Sequence, residues 1–248
     1  MKKALIIARK DITETLRMRS TYFTMLFILA IFSPYYFGLM SIVRNVKPAG
    51  SGLEPLIRLY INGIIMSVPL TVAALVAGSF STYSMIMEKT KRGFESLLAT
   101  PVTLRQVWLG KSLAVFLPCM AVSVIASLLL LTFLNFAVVV PAMDSFVIPD
   151  FLPVVTGLVI VPVMVFLLVS LISLLQLVLT NPRIPILVFS IVFLSLYFGN
   201  SFFGSLVAFV GAWGLSLFYL AGSGVLAVIT LFVSRYLTAE RIILSSKG

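Results

Sequence analysis

The residues whose types and spacing most resemble a chemical site are Gly110, Lys111 and Ser112. They match the end of the phosphate-binding pattern G-x-x-x-x-G-K-S. The first glycine of that pattern belongs at position 105, where the chain has Arg105. A phosphate-binding loop also follows a strand, and the sequence predicts no strand here. We therefore expect no nucleotide site in this chain.

Other catalytic and metal-binding side chains are scarce. The chain has no histidine, which removes the commonest general base and metal ligand together. Its one cysteine, Cys119, lies in an apolar segment and is expected to be a small buried residue. No catalytic residue, no metal site and no cofactor bound by this chain are predicted, so it is not expected to be an enzyme by itself.

The composition is that of a membrane protein. Hydrophobic residues make up 60% of the chain and charged residues 10%, and the mean hydropathy is +1.16. A soluble domain carries about 25% charged residues. The net charge of +10 comes from Lys and Arg between apolar segments or near the chain ends, as in cytoplasmic loops. No nucleic-acid partner is expected.

Uncharged segments long enough to cross a bilayer as helices divide the chain into six predicted spans. They cover residues 21–43, 59–87, 112–140, 151–179, 184–199 and 215–234. Between the last two, Gly199 and Gly204 favour a break, and a short re-entrant segment is expected. The predicted fold is an all-α membrane protein that forms a single domain over residues 1–248.

The distribution of positive charge predicts the orientation. Of the 18 Lys and Arg residues, only Arg44, Lys47 and Arg58 fall on one side of the six spans. The side richer in positive charge is normally cytoplasmic. Both termini are therefore expected in the cytoplasm, and the protein in the cell membrane in contact with lipid.

The N-terminal arm, residues 4–19, is predicted to form an amphipathic helix on the inner leaflet. Leu5, Ala8, Ile12 and Leu16 recur at helical spacing and give an apolar stripe. Another face is charged, which suits an interfacial helix. The charged residues assigned to it are Arg9, Lys10, Glu14 and Arg17. An ordinary basic tail before the first span is the alternative.

A charged segment that we call the elbow, residues 87–101, separates the second and third spans. Phe94, Leu97 and Leu98 give an apolar patch at helical spacing, Gly93 permits a break before it, and Pro101 ends the short helix. Thr103 and Gln106 then form the pattern of a capping box that starts the next helix. A plain connecting loop is the alternative.

The elbow resembles the cytoplasmic coupling segment of type-2 ABC transporter permeases. The resemblance rests on Glu88, on the segment Gly93-Phe94-Glu95-Ser96-Leu97-Leu98-Ala99-Thr100-Pro101, and on Leu109-Gly110-Lys111. The segment Ile7-Ala8-Arg9-Lys10-Asp11-Ile12 with Leu16-Arg17 resembles the start of the same family. Phe94 departs from the family pattern, in which Thr is common at that position.

This resemblance implies a role in transport. The chain would form half of a dimeric pore with a second, identical permease subunit, and two copies of a separate cytoplasmic ABC ATPase would bind ATP and Mg²⁺. The elbow would be the coupling helix that contacts the ATPase. The contact residues so implied are Glu88, Lys91, Arg92, Gly93, Phe94, Glu95, Leu97, Leu98, Thr100 and Pro101.

Polar side chains in otherwise apolar spans are candidates for a substrate pathway. They are Asn62, Ser67, Thr71, Ser190, Ser195 and Asn200. The alternative is that they join helices to one another by hydrogen bonds. The function we expect is that of a permease that exports a hydrophobic or amphipathic substrate. The alternatives are an ATP-independent transporter or channel, which the absence of charged residues inside the spans disfavours, and a structural membrane partner.

Overall fold

The computed structural model describes residues 2–17, 19–46, 52–90, 103–178 and 211–235. Within these ranges the chain is almost entirely helical and has no strand, which confirms the all-α prediction for them. The helices are α1 (Lys2–Leu16), α2 (Arg19–Val46), α3 (Leu53–Thr90), α4 (Leu104–Leu134), α5 (Val140–Met143), α6 (Phe151–Val155), α7 (Val161–Val178) and α8 (Gly211–Ser234).

Four segments are long and apolar enough to cross a membrane: Leu53–Gly78, Leu104–Met143, Phe151–Leu177 and Gly211–Ser234. They overlap the predicted second, third, fourth and sixth spans, and they support the assignment to a membrane. The predicted first span lies inside α2, many of whose side chains are outside the described part of the chain. The predicted fifth span and re-entrant segment lie outside the described residues.

Helix α3 is the centre of the described bundle. It packs against α2 on one side and against α4, α6 and α7 on the others. Its apolar segment is the most buried of the four candidate spans, and that of α8 is the least buried. A helix that presents apolar side chains in all directions must be surrounded by other helices or by lipid, and α3 is surrounded by helices.

The two π-helical turns of the bundle each precede a proline. Asn135–Val139 joins α4 to α5, and Thr156–Ile160 joins α6 to α7. In both turns the residue just before Pro141 or Pro162 donates its N–H to the first residue of the turn. A proline ring clashes with the carbonyl four residues earlier in a regular helix, and the wider π turn is a local solution to that clash.

The π-helical turn Thr156–Ile160 approaches α3 closely at Gly157. A Cβ atom at this position would overlap the carbonyl oxygen of Ile65. That carbonyl lies four residues before Pro69, which has no N–H to donate to it. Beside this contact, the hydroxyls of Thr156 and Ser216 lie 2.7 Å apart and join the same π-helical turn to α8.

The helix order gives the bundle two ends. The N-terminal helix α1 packs on α4 and touches α3, so it lies at the end that carries the last residues of α3 and the first residues of α4. We call this the elbow end, because the elbow joins α3 to α4. The starts of α3 and α6 lie together at the opposite end, where Arg58 contacts Asp150.

Candidate functional site

The elbow itself falls mostly outside the described residues, but the helices that hold it are described. Glu88 lies in the last turn of α3, and its side chain is outside the described part. The other predicted contact residues all lie outside it. They are Lys91, Arg92, Gly93, Phe94, Glu95, Leu97, Leu98, Thr100 and Pro101. Their roles remain predictions.

The predicted capping box at the start of α4 is confirmed. Thr103 has extended backbone, and its hydroxyl accepts a hydrogen bond from the N–H of Gln106 at 3.4 Å. In return the side-chain oxygen of Gln106 accepts from the N–H of Thr103 at 3.2 Å. These two bonds satisfy N–H groups that have no partner within the helix, so they fix where the elbow ends and α4 begins.

Helix α1 confirms that the predicted arm is helical. Its charged face is exposed, whereas another face is buried against the bundle. Arg9, Lys10, Glu14 and Arg17 are all exposed, and Lys10 pairs with Glu14 at 3.8 Å. Together with Ile6 and Thr13 they line a shallow, open groove along α1. This charged face is exposed, and the position of α1 on the inner leaflet stays a prediction.

The predicted apolar stripe of α1 does not pack as a unit. Ala8 is buried and Ile12 half-buried, whereas Leu5 is 55% exposed. The side chain of Leu16 lies outside the described residues. The buried face of α1 is instead centred between Ala8 and Asp11, and it rests on α4.

At the centre of this contact is a buried ion pair. The Nζ atom of Lys111 lies 3.3 Å from Oδ2 of Asp11, and the two side chains are 2% and 5% exposed. Among the described residues these are the only charged side chains that are buried. Two charges removed from water must be paired to be tolerated, and each of these two is the other's partner.

The same stretch of α4 also contacts α7. The indole Nε1 of Trp108 donates to the carbonyl oxygen of Ser170 at 2.9 Å. Ser112, next to Lys111, is fully buried and donates to the carbonyl of Trp108. The first two turns of α4 therefore connect the elbow to both α1 and α7.

The residues that match the end of the phosphate-binding pattern do not form a loop. Gly110, Lys111 and Ser112 lie inside the regular helix α4, whereas a phosphate-binding loop must curve around the phosphate with its N–H groups free. The amine of Lys111 is bound to Asp11. Among the described residues no cluster of three or more His, Cys, Asp or Glu side chains could hold a metal ion.

The predicted pathway residues of α3 lie in the packed interior. Ser67 and Thr71 are buried, and the Thr71 hydroxyl donates to the carbonyl of Ser67 at 3.0 Å. Asn62 exchanges two bonds with Asp150: its Nδ2 donates to Oδ2 at 2.6 Å, and its Oδ1 accepts from the backbone N–H at 2.9 Å. Ser190, Ser195 and Asn200 lie outside the described residues.

The bonds of Asn62 belong to a polar cluster at the opposite end of the bundle. Arg58 contacts Asp150 at 3.2 Å and Glu54 at 3.3 Å, and all three side chains are about half exposed. Because Asp150 gives its carboxylate to Arg58 and Asn62, it makes no side-chain cap at the start of α6. The cluster fastens the start of α3 to the loop before α6.

Sequence reasoning missed the partner of Lys111. The sequence contained a signal, because the spacing of Ala4, Ala8, Asp11 and Thr15 predicts that one acidic and three small residues share a helix face. A face of small residues lets another helix approach closely, so an acidic residue within it is placed to meet a buried base. The reciprocal pairing of Asn62 with Asp150 had no comparable signal.

Comparison of the chain with models of protein families, with curated proteins and with solved structures finds no match.

Proposed function

We propose that this chain is the transmembrane subunit of an ABC transporter, in which a separate ATPase drives movement of a hydrophobic or amphipathic substrate, in the direction of export. Two copies would form the pore, and ATP and Mg²⁺ would be bound by the ATPase subunits. The elbow would be the segment that the ATPase grips.

The observation that carries the proposal is the meeting of two motif segments that are far apart in sequence. Asp11 belongs to the segment Ile7–Ile12, and Lys111 belongs to Leu109-Gly110-Lys111; both segments resemble type-2 ABC permeases. The two residues form the buried ion pair. A resemblance in two separate places gains weight when those places are in contact, because they then have one structural reason to occur together.

The lengths of α3 and α4 also support a protruding elbow. Helix α3 has 38 residues and α4 has 31. At about 1.5 Å per residue, α3 measures roughly 57 Å, which is longer than the roughly 30 Å of a bilayer's hydrocarbon core. The candidate span of α3 ends at Gly78, so the rest of α3, to Thr90, would carry the elbow away from the bilayer. A helical hairpin that only crossed the bilayer would need much less.

The proposal is tested by purifying the tagged full-length chain from its native membranes in a mild detergent. We expect an ATPase subunit to remain bound, and the complex to hydrolyse ATP in a vanadate-sensitive manner. Glu95→Lys and Leu98→Asp should release the ATPase or separate ATP hydrolysis from transport, while the spans stay folded.

The matched controls carry the same chemical changes at the opposite end of α3. Glu54→Lys and Leu56→Asp alter exposed side chains there and should leave the ATPase bound. Equal retention and equal ATP hydrolysis in the elbow variants and the unmodified chain would contradict the proposal. Flux of an amphipathic dye into liposomes that contain the purified chain alone, without ATP, would favour the ATP-independent transporter instead.

A further inference from the structure

The contact between α1 and α4 contains a buried ion pair, Asp11 with Lys111, although apolar side chains could make such a contact. The two side chains are 5% and 2% exposed, and their charged atoms are 3.3 Å apart. An apolar pair of similar volume is commonly as stable as a buried ion pair, because the ions lose their hydration. Holding α1 against α4 therefore does not by itself account for these two residues.

A buried ion pair restricts the two helices that it joins to one position relative to each other. Apolar side chains tolerate sliding and repacking, whereas breaking a buried ion pair by moving one partner away is costly. Helix α1 is consequently fixed along α4 at the level of Lys111. If α4 moves, α1 is energetically constrained to move with it.

The pair also lies on a short path between the elbow and the first predicted span. The cap residue Thr103 follows the elbow by two positions, and Lys111 lies within the first turns of the helix that this cap begins. On the other side of the pair, α1 ends at Leu16 and α2 begins at Arg19. Rigid helix therefore separates the elbow from the pair, and only a short connection separates α1 from α2.

We propose that Asp11 and Lys111 are positioning residues that transmit displacement of the elbow through α4 to α1, and from α1 to α2. The inference rests on the proposed function, since it assumes that a partner displaces the elbow. It goes further in naming the contact that carries the motion to the first predicted span. Trp108 and Ser170 supply a separate contact from α4 to α7, so motion of α7 does not require the pair.

The experiment compares two distances in the purified complex with its ATPase, before and after addition of ATP and vanadate. Spin labels at Leu109→Cys on α4 and at Leu26→Cys on α2 are each paired with one at Leu220→Cys on α8; all three side chains are exposed. Labelled chain is diluted with unlabelled chain so that distances within one subunit dominate. Cys119 can remain, because it is fully buried.

The decisive variant is Asp11→Leu with Lys111→Met, which replaces the ions by apolar side chains of similar size. We expect the nucleotide-dependent shift at Leu109→Cys to persist and most of the shift at Leu26→Cys to disappear, with the elution volume and unfolding temperature of the complex retained. An undiminished shift at Leu26→Cys in this variant would overturn the inference.

A second variant keeps the test decisive if the double replacement does not fold. Asp11→Asn preserves the size of the side chain and one oxygen acceptor but removes its charge, and Asp11→Glu preserves the charge. Loss of the α2 shift in Asp11→Asn and its recovery in Asp11→Glu support the inference; equal shifts in both refute it. If neither label responds in the unmodified complex, the proposed function fails instead.

Discussion

The close approach of α3 and the π-helical turn Thr156–Ile160 gives a stability prediction with a clear sign. Gly157→Ala adds a methyl group whose carbon would overlap the carbonyl oxygen of Ile65. The atom it meets belongs to the backbone of the central helix, so no side-chain rotation can make room. One of the two helices has to shift, and α3 is held on its other sides by α2, α4 and α7.

The magnitude follows from two opposing terms. Alanine in place of glycine in a helix gains about 0.5–1 kcal/mol, because the unfolded chain loses conformational freedom. Forcing an extra methyl group into a packed contact costs about 1–3 kcal/mol. Gly63→Ala on α3 is the matched control, since nothing lies within 4 Å of a Cβ atom there. It should show the gain without the cost.

The measurement is the free energy of unfolding of both variants in the same detergent micelles. The gain common to both variants cancels in their difference. Gly157→Ala should therefore be less stable than Gly63→Ala by the packing cost alone, about 1–3 kcal/mol. Equal stability of the two variants, or higher stability of Gly157→Ala, would show that the turn Thr156–Ile160 does not pack on α3 at this carbonyl.

Three further predictions test the described packing. Asn62→Leu removes the hydrogen bonds of Oδ2 and of the backbone N–H of Asp150, while Oδ1 keeps its contact with Arg58, and should destabilise the protein by about 1–3 kcal/mol. Arg58→Gln breaks only half-exposed ion pairs and should cost at most about 1 kcal/mol in the same unfolding assay, so an equal loss would refute the assigned roles. Cys119 is fully buried and should react with a maleimide only after denaturation in SDS; rapid reaction in mild detergent would contradict the packing of α4.

The positions of the helices were predictable because a single strong constraint sets them. In lipid, a segment must satisfy its backbone hydrogen bonds internally, so a long uncharged segment has few alternatives to a helix. The start of α4 was predictable for a local reason, since Thr103 and Gln106 reach each other within one turn. Both kinds of signal are contained in neighbouring residues.

The pairing of charged and polar residues was not predictable in the same way. Asp11 and Lys111 are separated by 100 residues in the chain, and Asn62 and Asp150 by 88. Each pairing depends on which faces of the two helices pack together and at what level. The apolar content of the helices does not determine this packing. Asn62 was predicted as a pathway residue because it is polar and lies in a span; its bonds to Asp150 also give it a structural use.

The two described π-helical turns share a sequence pattern that can be recognised only after the structure is known. In both, a polar residue stands six positions before a proline: Asn135 before Pro141, and Thr156 before Pro162. The polar side chains then bond outside the helix, Asn135 to the N–H of Val147 and Thr156 to Ser216. Proline explains the widened turn, and the tertiary bond explains the polar residue at its start.

The two ends of the bundle differ in what holds them together, and that difference bears on how it can rearrange. Arg58, Glu54 and Asp150 are about half exposed, so water can replace their contacts at little cost in free energy. Asp11 and Lys111 are buried, and separating them breaks an ion pair that water does not reach. A rearrangement of the spans therefore costs least where it opens the cluster at the start of α3 and keeps α1 together with α4. On this reasoning α1 and α4 would move together beside the elbow, and the helices would separate from one another at the opposite end of the bundle.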